Sequence, residues 1–392
     1  MLTRIKSEVT MWRVILAIIF VTGIYATYVR FFEGFRASTN LSDRMPWGLW
    51  VGLGTLCGIG LSAAGFGISA AVYLLGMERY RPILRASILI SFLGYLTVCV
   101  GYLYEIGLPW RFWHPVVMWN HTSVLFDVCV CIMTYTTVLT FEFAPALIEK
   151  LPWKGFRDVV LRFHHKILIG VVLMGVLLSS MHQSFLGGLY LIARGKVHPL
   201  WYSQYMHAMF YLSAIPAGLA LTVFAIYLCM RSLNVRVDFG ILNDCGRVIQ
   251  LLLIVFAFFK VLDLVSNHAL GYAFQRTPEA GYFWLEMLLF VIIPVTLLSR
   301  ESVRSNPEKL YLTCAVVIAG FIVNRLNVSI NSLQSAMNVH YVPKWTELAS
   351  SVLVIAAAVV VFRYAVIYLD ILPKMKQPTF TRWLHGGAPA NA

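Results

Sequence analysis

The stretch SVLFDVCVCIMTYTTVLTFEFAPALIEK, residues 123–150, decides the class of this chain. Its apolar run has the length a helix needs to cross a bilayer, about 20 residues. Yet Asp127 and Glu142 stand inside it. An acid in the hydrocarbon costs about 2–4 kcal/mol on insertion scales, so a chain that keeps two of them has a use for them. Read as one helix, fifteen residues give about 22 Å of rise and four turns plus ~60°. Both carboxylates then face roughly one side, at different depths.

The rest of the chain fits the same reading. Of its 392 residues, 59% are hydrophobic and 12% charged, and no polar stretch is long enough for a soluble domain. The run 11–29 is too long for a signal-peptide core and reads as a retained helix. Ten segments have spanning length: 11–29, 49–76, 84–106, 121–146, 160–190, 205–231, 243–270, 281–299, 308–326 and 347–370. The fold class is therefore an all-α integral membrane protein. We divide it into residues 1–40 (first span and outer loop), 41–190 (spans two to five, one bundle), 191–326 (spans six to nine, a second bundle) and 327–392 (an outer loop, the tenth span and the tail). An echo between PWGLW (46–50) and HPLWYS (198–203) suggests parallel repeats, although an aromatic belt explains the same residues.

A net charge of +13 would suit a nucleic-acid binder, but here it follows topology. Nineteen Lys and Arg fall in the termini and even-numbered loops, nine in the odd-numbered loops and three within spans. That excess puts both termini in the cytoplasm. The odd-numbered loops carry Trp, Pro and His (GLPWRFWHPVVMWNH, KVHPLWYSQYMH), suited to membrane anchoring or to docking a partner. The seven cysteines include no CxxC and read as buried thiols.

Further polar residues interrupt the spans. The third carries Arg85, Tyr95 and Glu105, which beside Asp127 and Glu142 could relay protons; the plainer reading makes Arg85 a topology arginine and Glu142 an acid snorkelling toward Lys150. The fifth carries MHQS (181–184), placing His182 and Gln183 at a depth suited to a quinone head group, or giving His182 a backbone carbonyl to bond. In the seventh, Lys260 and Asp263 are spaced to pair on one face, functionally or structurally. Glu286 and the NRLN run at 324–327 add weaker candidates. Pro216 and Pro294 are expected to kink their helices.

PWGLW, RPILRAS, GLPWRFWHP, SVLFD, EFAPAL, MHQSFLGGL, KVHPLWYS, FWLEMLL and PKWTELA together, in this order, resemble the NrfD/polysulfide-reductase family, in particular its ten-helix HybB/DsrP/HmcC-like branch. The resemblance implies a quinone-interacting subunit of a respiratory complex in the bacterial cytoplasmic membrane, with exchangeable menaquinone or ubiquinone and no haem or metal of its own. It implies a periplasmic-side ferredoxin-like iron–sulfur subunit and a catalytic or cytochrome subunit as partners. Proton transfer would fall to Asp127, Glu142, Arg85 and Tyr95. The quinone region would take His182, Gln183, Asp127, Lys260 and Asp263. The chain departs from the family at Asp127, where relatives usually have Glu, at Lys260 and Asp263, where they often have Arg and Glu, and at Ala225, where an acid is common. Two other classes remain open: a haem b subunit, which needs two facing histidines, and a secondary transporter, which lacks here its usual paired, Gly/Pro-interrupted helices.

Overall fold

The computed structural model describes residues 11–193, 195–233 and 235–373, and within them it is built from helices alone, apart from one isolated bridge between Ser42 and Met45. Ten helices are long and apolar enough to cross a membrane: α1 (Met11–Glu33), α2 (Trp50–Leu74), α3 (Glu78–Glu105), α4 (Val124–Ile148), α5 (Lys154–Leu191), α6 (Met206–Ser232), α7 (Phe239–Ser266), α8 (Pro278–Ser299), α9 (Pro307–Met337) and α10 (Trp345–Tyr368). The chain is a multi-pass integral membrane protein. We call the end where α1 starts and α10 finishes the terminal face, and the opposite end the far face. The basic residues Arg4, Lys6, Lys374, Lys376 and Arg382, counted above toward topology, lie outside the described residues.

Local chemistry sets the helix ends. Ser123 accepts a hydrogen bond from the Phe126 amide and starts α4, and Asn306 accepts two, from Glu308 and Lys309, at α9. Pro82 sits in the first turn of the helix Arg81–Glu105, where its missing N–H is harmless; it begins the helix earlier than the sequence reading placed it. Pro294 follows a π-helical turn at Leu288–Ile292, which loosens α8 there.

α2 is the least regular span. It runs through a π segment (Trp50–Cys57), two short α pieces (Gly58–Leu61 and Ala64–Ser69) and a second π segment (Ala70–Leu74). Its glycines and alanines let neighbours approach closely: a Cβ on Gly218 of α6 would come within 2.6 Å of the Ala64 backbone nitrogen. α2 thereby lies against α3, α6 and α9, while α3, α4 and α5 pack in sequence. α6 also packs against α5, α7 and α9, and α10 pairs with α1 and lies against α3.

Two boundaries differ from the sequence reading, each in its own way. α9 extends to Met337 instead of ending near residue 326, and Arg325, counted above as a loop arginine, is 2% exposed within it. Hydropathy penalises NRLNVSINS because it assumes lipid on every side, but Asn324, Arg325, Asn327, Ser329 and Ser332 are all buried against other helices. α5 starts earlier, at Lys154, with a first stretch of largely exposed residues, and its 38 residues reach about 57 Å, well beyond the ~30 Å hydrocarbon layer. All seven cysteines are free thiols, five of them buried.

Candidate functional site

Between α2, α3, α4 and α5 the structure assembles a row of buried polar groups running from one face toward the other. At the far face Glu105, the last residue of α3, accepts a hydrogen bond from Thr55 of α2 at 2.7 Å. Deeper, Tyr190 of α5 packs edge-on against Trp47 and stacks on Phe210. At mid-depth the Tyr95 hydroxyl lies 3.0 Å from His182 Nδ1, and the Tyr95 ring meets Tyr135 of α4 edge-on at 4.5 Å. The Ser179 hydroxyl, one turn before His182, lies beside both phenols. Gln183 donates to the Ile59 carbonyl of α2 at 3.1 Å, a carbonyl at the irregular centre of that helix. Toward the terminal face Glu142, 6% exposed, accepts a hydrogen bond from Ser69. Beyond it Arg85 holds Glu149 through two bonds of 2.6 and 2.9 Å and donates to the Asp370 carbonyl, and Lys150 meets the Asp370 carboxylate at 2.6 Å.

Five atoms of this row are buried without a hydrogen-bond partner among the described residues: the hydroxyls of Tyr135, Ser179 and Tyr190, His182 Nε2 and Gln183 Oε1. Buried polar atoms nearly always have a partner, and where the protein supplies none, water does. Their clustering on facing helices fits a chain of water and hydroxyl groups through the bundle.

The sequence-derived residues are thus partly brought together. Tyr95, His182, Gln183 and Glu142 belong to one row. Arg85 is at its terminal-face end but pairs with Glu149, not Glu142. Asp127 is half-buried in the first turn of α4, and its carboxylate takes no hydrogen bond among the described residues. Lys260 and Asp263 do not pair with one another. Lys260 donates to the Leu200 carbonyl at 2.8 Å, and Asp263 accepts from Ser203 at 2.6 Å and Asn267 at 2.8 Å. They hold the HPLWYS loop and share no partner with His182 or Gln183.

That loop belongs to a second polar cluster, in α6–α9. Glu286 of α8, fully buried, accepts from Trp201 at 2.8 Å, Asn324 at 2.7 Å and Asn327 at 2.9 Å. Arg325 lies over the rings of Phe210 and Phe321 and donates to Asn324, Ser213 and the Phe210 carbonyl. Lys260, Glu286 and Asp263 therefore grip Leu200, Trp201 and Ser203 respectively, fixing the far-face loop to the helices.

Sequence reasoning missed Thr55, Ser69, Ser179, Tyr190 and Tyr135. Tyr135 carried a usable signal, since seven residues separate it from Glu142 and put both on one face. The others are hydroxyls in apolar or glycine-rich runs, with no distinguishing pattern.

Residues 37–338 of this chain match the polysulphide reductase family NrfD. The chain belongs to that family. Three relatives match it over 89–96% of their own length. A protein of Nitratidesulfovibrio vulgaris is 34% identical over 377 residues, covering 94% of this chain and 96% of its own. The probable Ni/Fe-hydrogenase 2 b-type cytochrome subunit of Escherichia coli is 30% identical over 354 residues, 89% of each chain. The menaquinone reductase integral membrane subunit of N. vulgaris is 26% identical over 398 residues, 94% of this chain and 93% of its own.

Proposed function

We propose that this NrfD-family chain is the quinone-interacting membrane subunit of a respiratory redox complex. It exchanges electrons between an iron–sulfur partner docked on the far face and the membrane quinone pool, and α2–α5 carry the accompanying protons. The observation that carries this reading is the row of buried, partly unpartnered polar groups crossing that bundle. The names of the relatives, menaquinone reductase among them, support the choice of quinone.

Reduction of a quinone takes two electrons and two protons, and oxidation of the quinol returns both. A head group enclosed by protein needs groups that pass protons to it. In this proposal it sits at the far-face end of α3 and α4, where Glu105 and Asp127 offer two carboxylates. Asp127 has no hydrogen-bond partner among the described residues and in this proposal bonds the head group or its water. Protons move between that end and the terminal face by hydroxyl, imidazole and carboxyl groups: Tyr190, then Tyr95 with His182, Tyr135 with Ser179, and Glu142 with Ser69. The Arg85–Glu149 pair stands where the row meets water. Tyr95 with His182, and Glu142 with Ser69, are within hydrogen-bond reach; the longer gaps, such as the eight residues of α5 between His182 and Tyr190, about 12 Å, are bridged by water in this proposal. The Escherichia coli relative is described as a b-type cytochrome subunit. A bis-histidine haem in this bundle would need a second imidazole facing His182, whose Nδ1 bonds Tyr95 and whose Nε2 has no hydrogen-bond partner among the described residues.

The test is turnover of the purified complex with a quinone analogue, measured beside electron transfer from the donor to a dye that accepts before the quinone. Asp127→Asn and Glu142→Gln should slow the first and spare the second. Equal, undiminished quinone turnover in both variants would refute the proton assignment.

A further inference from the structure

A cavity of about 770 Å³ opens between α2, α3, α6 and α10, on the face of α3 turned away from Tyr95. Sites that hold a small molecule run from about 300 to 1,000 Å³. Small residues hollow it out, Gly54, Gly58, Gly94 and Gly101 on one side with Ala225 and Ala358 opposite, and the remaining wall is largely aliphatic. An added Cβ at Gly101 would meet nothing within 4 Å, so its side of the cavity is open. Along α10 the lining extends from Ser350 to Arg363, about 20 Å at 1.5 Å per residue, some two-thirds of the hydrocarbon thickness.

Among the described residues, its charged lining residues are Arg231 and Arg363. α6 and α10 run in the same direction, and the two arginines lie near the ends of both, at the terminal face. Both are exposed, and neither forms an ion pair among the described residues. At the other end the polar edges are already used: Trp50 Nε1 donates to Ser350 and the Tyr104 hydroxyl bonds Thr27. One end of the cavity therefore calls for an anion and the rest for an extended hydrocarbon chain. Guanidinium groups match the oxygens of a phosphate, and basic pockets between membrane helices bind anionic lipid head groups.

We propose that this cavity is a binding site for an anionic phospholipid, with its phosphate between Arg231 and Arg363 and an acyl chain along the glycine-lined wall toward Gly101. The lipid joins α10, which has little buried surface of its own, to α2, α3 and α6. The site does not depend on the quinone reading.

The experiment purifies the intact complex in detergent and measures bound lipid by native mass spectrometry, with phosphatidylglycerol and phosphatidylcholine as probes. Phosphatidylglycerol should be retained in preference to phosphatidylcholine. The double variant Arg231→Gln/Arg363→Gln should bind it about thirtyfold more weakly, the expected joint effect of two cations near a lipid head group. Both residues are exposed, so the variant is expected to fold, with unchanged helicity as the check. Gly101→Phe should lower occupancy with both arginines intact. Equal phosphatidylglycerol binding in wild type and double variant overturns the proposal. So does finding that the molecule displaced by Gly101→Phe is an isoprenoid quinone. Because occupancy is read by mass and not by turnover, a failure of the quinone reading would leave this result unaffected.

Discussion

Tyr95→Phe tests the centre of the polar row with a minimal change in shape. Tyr95 is fully buried, and its hydroxyl is 3.0 Å from His182 Nδ1. The variant keeps the ring, its edge-on contact with Tyr135 and the packing, so no cavity larger than the lost oxygen forms. It loses one hydrogen bond and leaves a buried imidazole nitrogen unpaired, which costs about 1–3 kcal/mol. A ten-helix protein should tolerate that and assemble. The effect on turnover should be larger, because the one group bonded to the His182 ring among the described residues is gone. A relay broken at one position should slow quinone turnover about a hundredfold, equivalent to raising the barrier by about 2.7 kcal/mol. The assay is steady-state reduction or oxidation of a soluble quinone analogue by the purified complex, beside the dye reaction as an upstream control. Tyr104→Phe is the matching control in structure: its hydroxyl bonds Thr27 outside the row, so it should lose comparable stability without loss of rate. If Tyr95→Phe assembles and turns over quinone at the wild-type rate, protons do not pass through Tyr95 and the row is structural.

At the far-face end, Asp127→Asn should assemble but slow quinone turnover sharply, whereas Asp127→Glu should retain much of it; wild-type quinone turnover in an assembled Asp127→Asn complex would remove Asp127 from the route. In the second bundle, Glu286→Leu strands the donors of Trp201, Asn324 and Asn327, and at about 1–3 kcal/mol each this should total roughly 3–9 kcal/mol. The protein should then fail to accumulate in membranes, while Glu286→Gln should accumulate with a lowered melting temperature. Cross-linkers placed in loops 107–120 and 191–204 should capture an iron–sulfur subunit; capture from terminal-face loops alone would reverse the docking proposal. Reporter fusions after residue 392 should be active in the cytoplasm only, and periplasmic activity would invert the assigned orientation.

Much of the architecture was legible from residues alone. Crossing a bilayer imposes a length and an apolar composition on each segment independently of its neighbours, which is why ten spans could be read one at a time. The same logic marked Asp127, Glu142, His182 and Gln183, since polar groups are conspicuous in apolar runs. It failed at residues 327–337, where polarity was taken for a loop although neighbouring helices, not lipid, surround Asn327, Ser329 and Ser332.

What each polar residue bonds was settled only by packing. The spacing of Lys260 and Asp263 permits a pair on one helix face, yet each turns to a different atom of the Leu200–Ser203 loop, because the loop supplies backbone and hydroxyl partners the sequence does not place there. The sequence likewise offered Lys150 to Glu142, but Ser69 of a distant helix reaches it first, and Lys150 bonds Asp370. Composition and periodicity determined that this chain is a bundle of membrane helices with acids inside it. Which of those acids face one another, and which merely hold a loop, depends on how the helices are rotated and paired, and that is a property of contacts between residues far apart in sequence.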